Sequence, residues 1–210
     1  SEYFSAQTGN KVYFKPENLQ YTGAYKVRGA YYKISTLTED EKAKGLITAS
    51  AGNHAQGVAY AAQAAGVSAT IVMPTTTPLV KVNNTKDYGA KVVLHGDCYD
   101  EAYAKAMEIC EQEGATFLHP FDDYEVMAGQ GTVALEILRE LPTVDTVVVP
   151  VGGGGLIAGV AACIKLVNPR VKVVGVQAEG ASAVYRSFKA REHMSTDGVS
   201  TIADGIAVGN

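Results

Sequence analysis

The 210-residue sequence predicts an α/β fold, because its hydrophobic periodicity switches repeatedly between the patterns of strands and of helices. Short apolar runs at residues 46–49, 69–73 and 146–150 alternate with longer segments of helical period. Strands as apolar as these are typical of parallel sheets that helices cover on both faces. We therefore expect a three-layer αβα architecture with mostly parallel sheets.

The order of the elements follows from the same pattern. Thr22 is expected to cap the first helix and Gly66 to end the second. A proline-aspartate turn at residues 120–123 separates two runs of strands and helices. We therefore expect two domains, a large one of residues 1–47 and 123–210 and a small one of residues 48–122. The predicted strands are residues 12–14, 46–49, 69–73, 91–94, 116–118, 146–150 and 171–177, and the predicted helices are residues 24–37, 53–65, 77–88, 99–113, 125–141 and 156–167.

Composition excludes several classes of protein. The net charge of -4 and the absence of Lys/Arg runs argue against nucleic acid or a membrane surface as a partner. No apolar run approaches the length of a transmembrane helix, and residues 1–4 do not resemble a signal peptide. Cys98, Cys110 and Cys163 are widely spaced, which indicates reduced thiols and a cytoplasmic location. Without His/Cys pairs at ligand spacing, we expect no zinc or other metal site.

Lys26 is the first candidate for chemistry. It lies in a small, apolar, glycine-punctuated stretch, residues 22–30, which is a poor setting for a solvated charge. Burial lowers the pKa of an ammonium group and leaves an amine that can attack a carbonyl. The alternative is an exposed lysine near a helix start, as most lysines are. Two further segments, residues 50–57 and 152–155, weigh against that alternative because they too lie where α/β sheets bind ligands.

Four consecutive glycines link a predicted strand to a helix: Gly152, Gly153, Gly154 and Gly155. Their unobstructed backbone N–H groups, at the positive end of a helix dipole, form a cradle for an anion such as a phosphate monoester. A turn that needs glycine only for its backbone freedom would use fewer. Together with Ala158, the run also fits the dinucleotide fingerprint, and Glu179 lies about 20 residues on, where a ribose-binding acid would be. That second interpretation gives Lys26 no role.

A second loop follows the strand at residues 46–49 and opens a helix. Its exposed N–H groups, together with a serine hydroxyl and an asparagine amide, suit a carboxylate. The amide could instead bond a phenolic oxygen, and a simple helix cap is a further alternative. A histidine at a helix start is more often structural than a general base. The residues of this loop are Ser50, Ala51, Gly52, Asn53 and His54.

In these segments together, the sequence resembles the serine/threonine dehydratases of the fold-type II pyridoxal-phosphate enzymes, especially the threonine dehydratase (threonine ammonia-lyase) branch. The motifs that carry the resemblance lie at residues 17–18, 23–30, 50–57, 128–132 and 150–156, and several such motifs in one order are far more specific than any alone. The resemblance implies a fold like that of the tryptophan synthase β subunit, an oligomeric cytoplasmic enzyme, and a role in isoleucine biosynthesis or threonine catabolism.

The resemblance also implies a role for each site residue. Lys26 would form the Schiff base with the aldehyde of pyridoxal 5'-phosphate and later remove the Cα proton of the substrate. The glycine run and Leu156 would hold the cofactor phosphate, and Asn53 would contact the ring hydroxyl. Tyr25 and Gly205 would lie on opposite faces of the ring, and residues 50–54 would close on the substrate carboxylate. Loss of the β-hydroxyl, assisted by the cofactor phosphate, would give 2-oxobutanoate from L-threonine, or pyruvate from L-serine, and ammonia.

Two departures from the family pattern narrow these expectations. Ala51 stands where related serine racemases have a second serine as a base, so we expect elimination rather than racemisation. The metal-binding acids of those racemases lack counterparts near residues 177–183. Relatives also have a helical segment before Ser1 and a final portion after Asn210, which includes a residue that meets the pyridine nitrogen. The expectation is a chain truncated at both ends with an incomplete large domain, and one alternative is a non-catalytic remnant that binds pyridoxal phosphate.

Overall fold

The protein is described by a computed structural model that covers residues 1–196 and 198–209. Strands and helices alternate over most of this length, as the sequence predicts. Three short 3₁₀ turns lie at Glu17–Leu19, Glu179–Ala181 and Asp204–Ile206. The elements are α1 (Glu2–Thr8), α2 (Lys26–Thr36), α3 (Glu39–Lys44), β1 (Leu46–Ala49), α4 (Asn53–Ala65), β2 (Ala69–Met73), α5 (Leu79–Asp87), β3 (Lys91–Leu94), α6 (Tyr99–Glu113), β4 (Thr116–Phe117), α7 (Tyr124–Glu140), β5 (Thr146–Pro150), α8 (Gly155–Val167), β6 (Lys172–Val176) and α9 (Ala183–Ala190).

The first sheet has four parallel strands in the order β3-β2-β1-β4. Every residue of β1 and β2 is buried, because helices cover both faces of the sheet. Leu46 and Ile71 pack with α2, α4 and α5 on one face. Ile47 and Val72 pack with α6 on the other. These contacts confirm the predicted three-layer αβα arrangement.

The second sheet consists of β5 and β6, which pair in parallel from Thr146 with Lys172 to Pro150 with Val176. Its core lies against α7 and α8, where Val149, Val160 and Ile164 are buried. The two sheets share no strand, and each packs against a hydrophobic core of its own. The predicted two-domain division stays a prediction, and its first boundary, between residues 47 and 48, falls inside β1.

Several predicted elements differ from the structure. Residues 12–14 form no strand, because they have no partner among the described strands. Helix α2 begins at Lys26 rather than at residue 24, and Thr22 does not cap it, since the Thr22 hydroxyl is buried without a hydrogen bond among the described residues. Helix α5 begins after Pro78, not at residue 77, because a residue before proline disfavours the helical conformation. Sequence reasoning did not predict α1, α3 or α9, which are short.

Helix α2 is held tightly between two other helices. A Cβ added to Gly57 of α4 would lie 3.1 Å from the Lys26 backbone carbon, and one added to Gly129 of α7 would lie 2.6 Å from the Arg28 carbonyl oxygen. The Arg28 guanidinium also bonds Glu17 at 2.7 Å and Glu136 at 2.6 Å, which lowers the pKa of Glu136 to about 2. These contacts fix the position of the helix that begins at Lys26.

No helix within residues 1–196 and 198–209 is long and apolar enough to cross a membrane.

Candidate functional site

A pocket lies where the starts of α2 and α8 meet the segment after β4 and the turn at Asp204–Ile206. Most of the predicted cofactor-binding residues line it. They come from parts of the chain more than 100 residues apart and include Tyr25, Lys26, Gly152, Gly153, Gly154, Gly155, Leu156 and Gly205. The pocket therefore brings together the lysine segment and the glycine run, which the sequence identified separately.

Lys26 is half-buried at the first position of α2. Burial lowers the pKa of its ammonium group from 10.5 to about 8. Its Nζ donates a hydrogen bond to the Pro120 carbonyl oxygen and lies 5.6 Å from the centre of the Tyr25 ring. Burial also raises the pKa of the Tyr25 hydroxyl to about 12, so that side chain stays neutral. About a tenth of Lys26 is therefore free amine at pH 7, far more than a lysine with the ordinary pKa of 10.5 would supply, and the free amine is the form that a nucleophile or base requires.

The glycine run forms the loop between β5 and α8. Gly154 has a left-handed backbone with φ of 88°, and nothing lies within 4 Å of where its Cβ would be. Among the described residues, the N–H groups of Gly152, Gly153 and Gly154 make no hydrogen bond. The loop therefore presents free donors at the positive end of the 13-residue helix α8, an arrangement that binds anions.

Phe121 is a pocket residue that sequence reasoning missed. A Cβ on Gly153 would lie 2.7 Å from its ring, and one on Gly155 would lie 2.8 Å from its carbonyl oxygen. Two of the glycines are therefore required because Phe121 fills the space behind the loop. From the sequence, the turn at residues 120–123 indicates only a domain boundary, because an aromatic residue next to a proline gives no local signal of contact with a loop about 30 residues on.

The loop at residues 50–54 lies at the carboxyl end of β1. Its Ser50 Oγ accepts a hydrogen bond from the Gly52 N–H at 3.2 Å. The N-cap of α4 is Gly52, with no side-chain cap, so the alternative that Ser50 or Asn53 caps the helix is wrong. Within the described chain, the N–H groups of Asn53, His54 and Ala55 have no hydrogen-bond partner. A second set of free helix N-terminal donors thus lies beside the first sheet.

Asn53 and Gly205 are neighbours in space. The Asn53 side chain is exposed, and its Nδ2 lies 3.9 Å from where a Cβ on Gly205 would be. The turn at Asp204–Ile206 also covers Gly152, since a Cβ there would lie 3.2 Å from the Ile206 Cα. The contact between Asn53 and Gly205 therefore places the loop at residues 50–54 next to the pocket of Lys26.

His54 does not point into the pocket. Its side chain is 3% exposed, and Nε2 lies 3.1 Å from the Leu118 carbonyl oxygen. Because a carbonyl only accepts, Nε2 carries the proton and Nδ1 is a bare lone pair, which has no partner among the described residues. Burial, with the nearby charge of Lys26, lowers the pKa of His54 to about 3. A contact from this residue to a substrate carboxylate would thus come from its backbone N–H.

The buried His54 should make the stability of the protein depend on pH. The unfolded chain takes up a proton near pH 6.5 that the folded chain refuses until about pH 3, so the stabilisation is complete above pH 6.5 and is lost as the pH falls toward 3. We expect His54 to account for about 2 kcal/mol of lost unfolding free energy between pH 7 and pH 5. Urea unfolding of the wild type and of His54→Gln at both pH values measures this loss.

The exposed His95 supplies the control for that comparison. His95→Gln should keep the wild-type difference between the two pH values, whereas His54→Gln should reduce it. Equal pH dependence in the wild type and His54→Gln would contradict a neutral, buried His54.

In the part of the chain that the structure describes, no group of three or more His, Cys, Asp or Glu side chains could hold a metal ion. Cys98, Cys110 and Cys163 are free thiols.

Comparison with known proteins identifies relatives of the whole chain. It is 54% identical over 208 residues to an L-threonine ammonia-lyase of Thermotoga maritima, covering 99% of this chain and 52% of the relative. It is 48% identical over 208 residues to a catabolic L-threonine dehydratase of Escherichia coli K12, covering 99% of this chain and 63% of the relative. The chain thus spans about half to three fifths of the length of these two relatives.

Solved structures of a threonine deaminase and a serine racemase have the same fold as this chain. The processed form of threonine deaminase isoform 2 from Solanum lycopersicum superposes with a TM-score of 0.96 at 46% identity, covering 99% of this chain and 57% of that one. Maize serine racemase superposes with a TM-score of 0.97 at 37% identity, covering 100% of this chain and 64% of that one. The family model described as "pyridoxal-phosphate dependent enzyme" matches residues 1–210. The pocket that joins Lys26 to a glycine-lined anion cradle is thus found in a chain that belongs to the family of pyridoxal-phosphate-dependent enzymes.

Proposed function

We propose that the protein catalyses the pyridoxal-phosphate-dependent dehydration and deamination of L-threonine, and also of L-serine, to 2-oxobutanoate or pyruvate and ammonia. The observation that carries this proposal is the half-buried Lys26, with its lowered pKa, in one pocket with the glycine cradle. The relatives named as threonine ammonia-lyase and dehydratase support it.

The residues of the pocket fit pyridoxal phosphate. The free N–H groups of Gly152, Gly153 and Gly154, and the open space at Gly154, suit the phosphate. Lys26 offers the amine, and the neutral Tyr25 offers an aromatic surface beside it. Asn53 supplies an exposed amide that can donate to or accept from a ring hydroxyl. The glycine N–H groups thus match the cofactor phosphate, the Lys26 amine matches the aldehyde, and Tyr25 and Asn53 match the ring and its hydroxyl.

Pyridoxal phosphate, when bound, delocalises the negative charge that remains at Cα after proton removal. Lys26 would bind the cofactor and then accept the Cα proton on Nζ, because its lowered pKa makes the free amine available near neutral pH. The Pro120 carbonyl oxygen orients Nζ, and the Phe121 ring, 5.9 Å from Nζ, restricts water on that side. The protein thus supplies position and a neutral base.

The loop at residues 50–54 is proposed to bind the substrate carboxylate through the free N–H groups at the start of α4. Ser50 shapes the loop, because its Oγ accepts from the Gly52 N–H. Ala51 has no hydroxyl and cannot serve as a second base on the opposite face of Cα. Elimination is therefore favoured over racemisation, although serine racemases share the fold.

The remaining expectations about the whole protein are also proposals. We propose a large and a small domain, a homo-oligomeric assembly, a cytoplasmic location and a role in isoleucine biosynthesis or threonine catabolism. The name of the Escherichia coli relative, a catabolic L-threonine dehydratase, supports the catabolic role. The free thiols of the three cysteines support a reducing compartment. A dinucleotide-binding oxidoreductase is disfavoured by the family match, and a remnant that binds the cofactor without catalysis is the alternative that an assay must exclude.

A coupled assay of ammonia and 2-oxo acid with L-threonine, L-serine and D-serine tests the proposal. It should be run on residues 1–210 and on a longer form that matches the length of the relatives. We expect equimolar ammonia and 2-oxo acid from L-threonine and less product from D-serine. Pyridoxal-phosphate binding without ammonia release from either form would instead favour the non-catalytic remnant.

A further inference from the structure

The turn that follows β4 is held by hydrogen bonds that the proposed chemistry does not itself require. The Leu118 carbonyl oxygen accepts from the Thr48 hydroxyl at 2.7 Å and from His54 Nε2 at 3.1 Å. The Leu118 N–H donates to the Ile47 carbonyl oxygen at 2.9 Å. Since all three partners are buried, Leu118, which directly precedes the turn at residues 119–122, is fixed to the end of the first sheet.

The imidazole of His119 closes the same turn. Its Nδ1 accepts from the Asp122 N–H at 2.8 Å and from the Phe121 N–H at 3.3 Å. The His119 ring also packs edge-to-face on the Phe121 ring, with 4.8 Å between the ring centres. A nitrogen that accepts two N–H groups must carry no proton, so the structure requires the neutral ring with its hydrogen on Nε2.

Two groups that the turn presents reach the pocket. The Pro120 carbonyl oxygen is the hydrogen-bond acceptor of Lys26 Nζ within the described part of the chain. The Phe121 ring and backbone fill the space behind Gly153 and Gly155. Without the bonds to His119 Nδ1, the N–H groups of Phe121 and Asp122 would lose their acceptor, and the turn would be free to leave this conformation.

We propose that His119 is a positioning residue, whose bare Nδ1 holds the turn at residues 119–122 so that it sets the position of the Lys26 amine and the shape of the glycine cradle. This inference rests on the proposed function, because the groups that it positions are those assigned to pyridoxal phosphate. His119 acts through Pro120 and Phe121 and touches neither cofactor nor substrate.

The arrangement is sensitive to acid, because a protonated ring cannot accept the two N–H bonds. The groups that face His119 are the Lys26 amine from α2, the neutral His54 from α4, and Asp122 and Asp123 before α7. Burial and Lys26 lower the pKa of His119, and the two aspartates oppose them, with a net lowering. The turn is thus complete at neutral pH and loses its bonds as the pH falls below the ordinary value of 6.5.

Two variants separate the hydrogen bond from the packing. His119→Asn keeps a side-chain acceptor near Nδ1 without a titratable group, and His119→Phe keeps the ring on Phe121 without an acceptor. Pyridoxal-phosphate dissociation constants should be measured from pH 5.5 to 8 on the longer form of the protein. At pH 8, we expect His119→Phe to bind pyridoxal phosphate at least about tenfold more weakly than the wild type, the loss of one hydrogen bond being worth about that factor. His119→Asn should bind within about threefold of the wild type at pH 8, within the range of a minor rearrangement.

The pH dependence of cofactor affinity separates the hydrogen bonds of His119 Nδ1 from a role of its side chain in packing alone. Wild-type affinity should fall more steeply below pH 6.5 than that of His119→Asn, since the cofactor phosphate and Lys26 titrate alike in both. The exposed His95→Asn should retain the wild-type profile. Identical profiles for the wild type and His119→Asn, or wild-type affinity in His119→Phe, would overturn the inference.

Amide hydrogen exchange in the cofactor-free chain tests whether His119 holds the turn, independently of whether the protein binds pyridoxal phosphate. In His119→Phe, the amides of Phe121 and Asp122 should exchange at least about tenfold faster than in the wild type, and His119→Asn should restore protection. A wild-type protein that binds no pyridoxal phosphate would overturn the proposed function, and the exchange of these two amides would then decide whether His119 holds the turn. Unchanged exchange in His119→Phe would refute that role as well.

Discussion

Replacing Lys26 with alanine is expected to lower ammonia release from L-threonine by at least about 10³-fold, the typical contribution of a positioned base together with a covalent binding group. Lys26 supplies the amine of the pocket, and among the described lining residues no second lysine could replace it. The pyridoxal-phosphate absorbance that stays with the protein after gel filtration should disappear as well. Product formation and retained absorbance are both measured on the longer form of the protein.

Lys86→Ala is the matched control, because Lys86 is an exposed lysine near the end of α5. It should retain wild-type absorbance and ammonia release. Near-wild-type turnover in Lys26→Ala, with the same fold by circular dichroism, would show that another group removes the Cα proton and would contradict the proposed role of Lys26.

The second large effect is expected at Gly155, the first residue of α8. In Gly155→Ala, the new Cβ would lie 2.8 Å from the Phe121 carbonyl oxygen and 2.9 Å from its Cα. A backbone cannot rotate aside as a side chain can, so either the cradle or the turn at residues 119–122 must move. We expect a loss of about 1–3 kcal/mol in unfolding free energy from overpacking and at least tenfold weaker binding of pyridoxal phosphate, which corresponds to about 1.4 kcal/mol.

Gly9→Ala controls for the cost of adding a methyl group to glycine. Gly9 has φ of 68° at the end of α1, with nothing within 4 Å of its Cβ position. It should show only the backbone strain of about 1–2 kcal/mol and no change in cofactor affinity. Urea unfolding and absorbance titration of both variants make the comparison, and an unchanged affinity in Gly155→Ala would mean that the cradle does not hold the phosphate.

Long helices with clear ends could be predicted closely from the sequence. The bounds of α4 and α6 match the predictions because each helix has a strong apolar face and ends at a glycine, Gly66 or Gly114, in the left-handed conformation. Short helices could not. Helices α1, α3 and α9 have eight or fewer residues and too few turns to show a period.

The candidate site was predictable where function requires an unusual local sequence. Lys26 among small residues and the glycine run both stood out, and both line the pocket. His119 and Phe121 were missed because their roles depend on residues about 30 to 90 positions away, such as Gly153 and Lys26. Local sequence carries no record of such contacts. His54 was placed in the right loop, but its burial against Leu118 depends on the pairing of β1 with β4.

The close approach of α4 to α2 at Gly57 has a mechanical consequence. The Cβ position of Gly57 lies 3.1 Å from the Lys26 backbone carbon, so no side chain separates α4 from α2 at this point. The distance between the loop at the start of α4 and the amine at the start of α2 is therefore set by a direct backbone contact. A residue larger than glycine at position 57 would push the loop away from the amine.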